Sequence, residues 1–299
     1  MDIYLPLAET SANLIVLLLI GGGVGVLSGM FGVGGGFLLT PLLTLVGIPP
    51  GIAVATGANQ IIASSVSGVL VHLSRNRVDI ELAAILAGGG LAGSGVGVIV
   101  FSALRTAGQL DFVVQLLFVF LLGGVGLLML IDSYRARRNT KVTEAGKRPL
   151  AEAMRRLPFK RRFEKSDTEI SVILPVILGI GIGFLTAMMG VGGGFLAIPA
   201  MIYILGLPGQ VVVGTSLLQM ALTSAVTTLL QAGNTQSVDV VLAFALIVSG
   251  VGGAQLGARF TLKLDPNLIR LGLAVLIVAV AITVALRLVI PPTEPFSLG

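Results

Sequence analysis

Ten apolar runs fill the chain, roughly 13–31, 35–46, 51–73, 79–103 and 109–131, then 171–189, 193–205, 209–231, 238–259 and 266–290. Most are long enough to cross ~30 Å of hydrocarbon as helices, which takes about 20 residues. The second run of each series is shorter, and the run before it is interrupted by glycines. Each such couple reads as a hairpin of short or broken helices. Uniformly apolar runs of this length predict an all-α polytopic membrane protein.

The two series are copies of each other. Gly32-Val33-Gly34-Gly35-Gly36-Phe37-Leu38 recurs as Gly190-Val191-Gly192-Gly193-Gly194-Phe195-Leu196, with Pro41 and Pro199 at matching places, 158 residues apart. Gly47-Ile48-Pro49 matches Gly206-Leu207-Pro208, Thr56 matches Thr215 and Gln60 matches Gln219 at an offset of 159; Val78-Asp79 matches Val238-Asp239 at 160. A fixed period sustained over this length indicates duplication. Three parts follow: a first transmembrane repeat over 1–131, a basic loop over 132–170 and a second repeat over 171–299. An odd number of passes per repeat predicts two inverted copies.

Composition agrees with a lipid-embedded chain. Of 299 residues 55% are hydrophobic and 11% charged, against about 25% charged in soluble domains. The net charge of +5 belongs to one segment: 12 of the 19 Lys and Arg lie in 132–170 with six acids, so that segment is +6 and the rest −1. By the positive-inside rule the loop is cytoplasmic and both termini are periplasmic. A basic loop beside membrane spans points to lipid headgroups, and no nucleic-acid partner is expected. The remaining cations fit inverted copies. Arg75 and Arg77 follow the third run, whose counterpart loop has none, while Arg259, Lys263 and Arg270 surround a loop whose counterpart carries Arg105.

Candidate chemistry centres on the glycines. Three consecutive glycines in lipid leave N–H and C=O groups that must be buried in protein or line a wet cavity. Glycine turns that open a helix present N–H groups at its positive dipole end, which suits an anion. The expected substrate-binding set is therefore Gly32, Gly34, Gly35, Gly36, Gly190, Gly192, Gly193 and Gly194. Thr56, Asn59 and Gln60 join it from one helix face, with Thr215, Ser216 and Gln219 opposite and Arg259 at a mouth. Other glycines, among them Gly88 to Gly90, Gly93, Gly123, Gly124, Gly252, Gly253 and Gly257, read as close helix contacts. Asp79 and Asp239 read as helix caps. With one His and no Cys, no metal site, cofactor or nucleophilic cluster is expected, and no Lys-Ser or Lys-Thr follows the glycines as a phosphate loop requires.

Through the duplicated GVGGGF motif and its prolines, Gly214-Thr215-Ser216, and Gly253 and Gly257 before Arg259, the chain resembles the TauE/SafE sulfite exporter family. The first copy departs from it, with Ala55-Thr56-Gly57 where the second has Gly-Thr-Ser. The resemblance implies a secondary transporter in the bacterial cytoplasmic (inner) membrane. Its substrate would be a small sulfur-containing anion, sulfite, hydrogensulfite or an organosulfonate, exported by alternating access under an ion or proton gradient. A channel or uptake system for another small anion is the alternative, and an intramembrane enzyme a distant one. Small-residue faces permit a homodimer.

Overall fold

The computed structural model describes residues 2–8, 10–138, 158–163, 165–166, 168–234, 238–261 and 266–289. The first repeat holds α1 (Leu14–Phe31), α2 (Gly36–Leu45), α3 (Pro50–Leu73), α4 (Ile80–Thr106) and α5 (Leu110–Arg138). The second holds α6 (Ile173–Met189), α7 (Gly194–Tyr203), α8 (Gly209–Asn234), α9 (Val240–Thr261) and α10 (Pro266–Val289). Six of these are long and apolar enough to span a bilayer. Side chains such as Leu19, Ile99, Phe120, Leu229 and Phe244 are more than two-thirds exposed, which an aqueous surface would not support but lipid does. The chain is an integral, all-α polytopic membrane protein.

Helix ends follow local chemistry. The Asn13 side chain accepts the Ile15 N–H at the start of α1, and Pro49-Pro50 opens α3 where a missing N–H costs nothing. Asp79 caps α4 by accepting the Leu82 N–H, and Asp239 caps α9 by accepting from Val241 and Leu242, as expected from their positions. The α5 helix runs seven residues past the expected end at 131, because Asp132 to Arg138 contains no helix breaker. Of the rest of the basic loop, 139–157, 164 and 167 lie outside the described residues.

Two small antiparallel hairpins were not anticipated from the apolar runs. β1 (Asp2–Leu5) pairs with β2 (Thr10–Asn13) just before α1, and β3 (Lys160–Phe163) pairs with β4 (Thr168–Ser171) just before α6. They hold equivalent places in the two repeats. Strands of four residues carry almost no periodic signal.

The repeats are interleaved rather than set side by side. α1 packs along α9, and α6 along α4, so the first helix of each repeat lies on the fourth helix of the other. A Cβ on Gly25 or Gly29 would overlap the backbone of Gly250 or Ala254, and one on Gly253 or Gly257 the carbonyls of Gly22 or Val26. These contacts advance together along both helices, so α1 and α9 run parallel. Gly89 and Gly93 meet α6 at Val176 and Ile180, and Gly179 and Gly183 meet α4 at Leu86 and Gly90, again in parallel. Close-contact glycines therefore behave as read, except Gly88, Gly123, Gly124 and Gly252, which have nothing within 4 Å. At the centre α3 crosses α8, and α5 lies against α10.

Gly93→Leu and Gly253→Leu, forcing a side chain between touching backbones, are expected to lower stability by about 1–3 kcal/mol or more. Gly252→Leu should change it little, and thermal unfolding of the detergent-solubilised protein separates the two outcomes.

Candidate functional site

The interrupted hairpins meet in the middle of the protein. α1 ends at Gly32, in the left-handed region at φ +71°, with its N–H on the Ser28 carbonyl at 2.8 Å; α6 ends at Gly190, φ +64°, on the Thr186 carbonyl at 2.9 Å. Two more left-handed glycines follow in each copy, Gly34 and Gly35 or Gly192 and Gly193, before α2 and α7 begin. Side chains with a Cβ rarely adopt one such conformation, so three in four positions require glycine.

The two turns touch backbone to backbone. A Cβ on Gly36 would lie 2.8 Å from the Gly190 carbonyl, and one on Gly194 would lie 2.5 Å from the Val33 carbonyl. Phe37 and Phe195, equivalent residues of the two motifs, pack with ring centroids 6.2 Å apart. Ile61 of α3 and Met220 of α8 also fill equivalent places: Ile61 faces Gly36 and Gly192, and Met220 faces Gly34 and Gly194. The N–H groups of Val33, Gly34 and Gly35, and of Val191, Gly192 and Gly193, have no bonded acceptor among the described residues, and all six residues are buried. An unpaired buried N–H costs about 1–3 kcal/mol.

Hydroxyls stand beside these donors. Ser28, four residues before Gly32, is 2% exposed, its Oγ has no partner, and its Cβ closes on Gly35. The Ser224 Oγ, also unpartnered and fully buried, lies 3.5 Å from where a Gly192 Cβ would be. Ser28 escaped the sequence reading because it sits within an apolar helix. The repeat offset of 158 pairs it with Thr186, whose hydroxyl faces Gly193, and that pairing was the available signal.

The expected side-chain ligands divide into two groups. Thr56 accepts the Asp239 N–H at 3.1 Å and Thr215 accepts the Asp79 N–H at 3.0 Å, a reciprocal pair of ties between repeats. Each carboxylate is also held by the β-hairpin of its neighbourhood: Asp239 Oδ2 by the Leu7 N–H and Asp79 Oδ2 by the Ser166 hydroxyl at 2.6 Å. The Ser216 hydroxyl donates to Val213 and the half-buried Asn59 amide to Thr56, both within their own helices. Gln60 and Gln219 are 2% and 0% exposed, with Nε2 donating to Gly21 O at 2.8 Å and Thr223 Oγ1 at 3.0 Å. Their Oε1 atoms have no partner. Arg259 is exposed in the last turn of α9 and is not among the buried residues around the hairpins. A separate cavity of about 230 Å³, lined by Pro41, Ile48, Pro49, Gln115 and Thr283, opens where α2 meets α5 and α10.

Paired glycine hairpins closed over one another inside a bundle of apolar helices, with backbone donors left open, define a polytopic membrane protein. The sequence comparisons give the family. The family model described as "Sulfite exporter TauE/SafE" matches residues 17–284, and the chain belongs to that family of membrane transporters. It is 31% identical to a probable membrane transporter protein of Xylella fastidiosa (strain 9a5c), covering 93% of this chain and 97% of the relative. The Bacillus subtilis probable membrane transporter YjnA is 26% identical, covering 84% and 91% of the two chains, and YunE of the same organism is 26% identical over 86% and 90%. No solved structure matches the chain.

Thr56→Val and Thr215→Val each leave a buried N–H unpaired at a helix start. Each is expected to lower stability by about 1–3 kcal/mol. The double variant should lose close to the sum, since the two ties join opposite ends of the bundle; denaturant or thermal unfolding in detergent checks both values.

Proposed function

We propose that the protein is a secondary transporter that exports a small oxyanion of the sulfite type, binding it between the two glycine hairpins. The observation that carries this reading is the cluster of six buried backbone N–H groups without acceptors, beside the unpartnered Ser28 and Ser224 hydroxyls. Such donors stabilise negative charge without a buried cation, at the ends of interrupted helices where membrane transporters hold their substrates. In this conformation Ile61 and Met220 fill the space against the turns, so the site is closed between them. Opening on either side needs the hairpins to part, and alternating access would be the separation of one hairpin and then the other. Binding and release, with no bond made or broken, is the chemistry these groups serve.

The repeats are read as inverted copies. What supports this is the start of α9 tied to Thr56 near the start of α3, whereas α4 starts where α3 ends. Equivalent helices α4 and α9 then begin on opposite faces, in agreement with the cation distribution. With the 132–170 loop in the cytoplasm, both termini lie in the periplasm of a bacterial inner membrane. The chain has no cysteine, so single-cysteine variants report without background. Asn76→Cys, after α3, should react with a membrane-impermeant maleimide from the cytoplasmic side only, and Gly233→Cys, near the end of α8, from the periplasmic side only. Labelling of both from one side would overturn the inverted arrangement.

Sulfite flux in proteoliposomes, with and without an imposed pH gradient, tests the transport reading. Wild type should show saturable, gradient-dependent flux, and Ser28→Ala/Ser224→Ala should lose about a hundredfold or more at unchanged melting temperature, given about 1.5–3 kcal/mol for each lost bond to an anion. Flux equal to that of empty liposomes would remove sulfite as substrate.

A further inference from the structure

The groups around the hairpins are of two kinds, and one kind does not suit a bare anion. The N–H groups only donate, and the Ser28 and Ser224 hydroxyls can donate or accept. The Gln60 Oε1 only accepts. Its amide orientation is determined, because Nε2 donates to the Gly21 carbonyl at 2.8 Å; turning the amide over would set two acceptor oxygens against each other. At Gln219 the amide partner is the Thr223 hydroxyl, which bonds in either sense, so Gln60 carries the argument.

Gln60 adjoins Ile61, which packs against the hairpin turns at Gly36 and Gly192. Its own side chain is wedged between α1, α3 and α9, against Gly21 and Gly250. Gly21 lies one turn before Val24, which packs on Gly35. Gln60 is 2% exposed and its oxygen has no partner. A fully deprotonated oxyanion brings only acceptor atoms to that oxygen. An anion with one O–H, held between the turns and Gln60 once the hairpins part, would satisfy both sets, giving its proton to Gln60 and its charged oxygens to the hairpin N–H groups.

We propose that the ligand is a singly protonated oxyacid anion, recognised through its O–H by Gln60, and that anions lacking an O–H are discriminated against. This rests on the anion reading above and narrows it. The proton then travels on the substrate. The titratable groups on the surrounding elements stand elsewhere: α1, α2 and α8 carry no acid, Lys, Arg or His; His72 is at the far end of α3 and Arg259 at that of α9. Asp239, at the start of α9, has its carboxylate held by the Leu7, Val241 and Leu242 N–H groups.

Calorimetric titration of the full chain in nanodiscs tests this with sulfite and methanesulfonate, each at pH 6 and pH 8. Methanesulfonate is a monoanion at both and has no O–H. Sulfite should bind at pH 6 about tenfold or more tightly than methanesulfonate, and should weaken by pH 8 as its own proton is lost. Buried sites built for a hydroxyl reject analogues lacking it by up to about 10⁴–10⁵. In Gln60→Met, with melting temperature as the check on folding, the preference for sulfite over methanesulfonate should disappear. Equal binding of the two anions, tighter sulfite binding at pH 8, or an unaltered preference in Gln60→Met would overturn the inference and leave the anion site standing. Binding of neither anion would overturn both.

Discussion

A backbone amide in lipid has no water to bond to, and that constraint organises the protein. Two helices stop inside the bundle at Gly32 and Gly190, releasing peptide groups that ordinary lipid-facing structure cannot hold. The structure answers by burying each turn against the other. Gly36 and Gly194 allow backbone contact between the hairpins, and Phe37 packs tilted against Phe195 beside it. The surrounding helices then follow: α3 and α8 supply Ile61 and Met220 to fill the contact, and α1 and α6 are pinned by what their own ends must reach.

The same interaction explains why the two halves exchange partners. A hairpin reaching the centre leaves its long arm, α1 or α6, beside the fourth helix of the other repeat. Glycines on both members let the backbones close up there, the small-residue packing common in membrane bundles. The reciprocal ties of Thr56 to Asp239 and Thr215 to Asp79 fasten the arrangement at its two ends, each backed by a β-hairpin. Polar residues that a lipid-facing helix would exclude thus divide between fastening the repeats, as the two threonines do, and standing open near the turns, as Ser28, Ser224 and Gln60 do.

The helices were legible in the sequence because uninterrupted apolar runs of this length have one stable form in lipid. The hairpins were legible because GVGGGF occurs twice with its proline. Which helices touch was not. Gly93 and Gly253 advertise a close neighbour without identifying it, since a small residue carries no address. Thr56 and Thr215 were expected among the substrate ligands from their place on a helix face, yet each accepts a backbone N–H, a group that every residue but proline supplies. Gln60 shows the finest limit: its position was readable, but whether it presents a donor or an acceptor depends on the Gly21 carbonyl, 39 residues away in the chain.

Interleaving also sets an order of events during synthesis. The glycine face of α1 is made more than 200 residues before the face of α9 that covers it, and at about 5–20 residues per second that is a wait of roughly 10–45 s. α4 waits less, since α6 follows after only α5 and the central loop. For that interval the first repeat is an inserted but unclosed set of helices, its packing surface turned to lipid or to whatever attends the nascent chain. The early half is therefore a membrane resident before it is a folded body, and only the arrival of the late half turns insertion into structure.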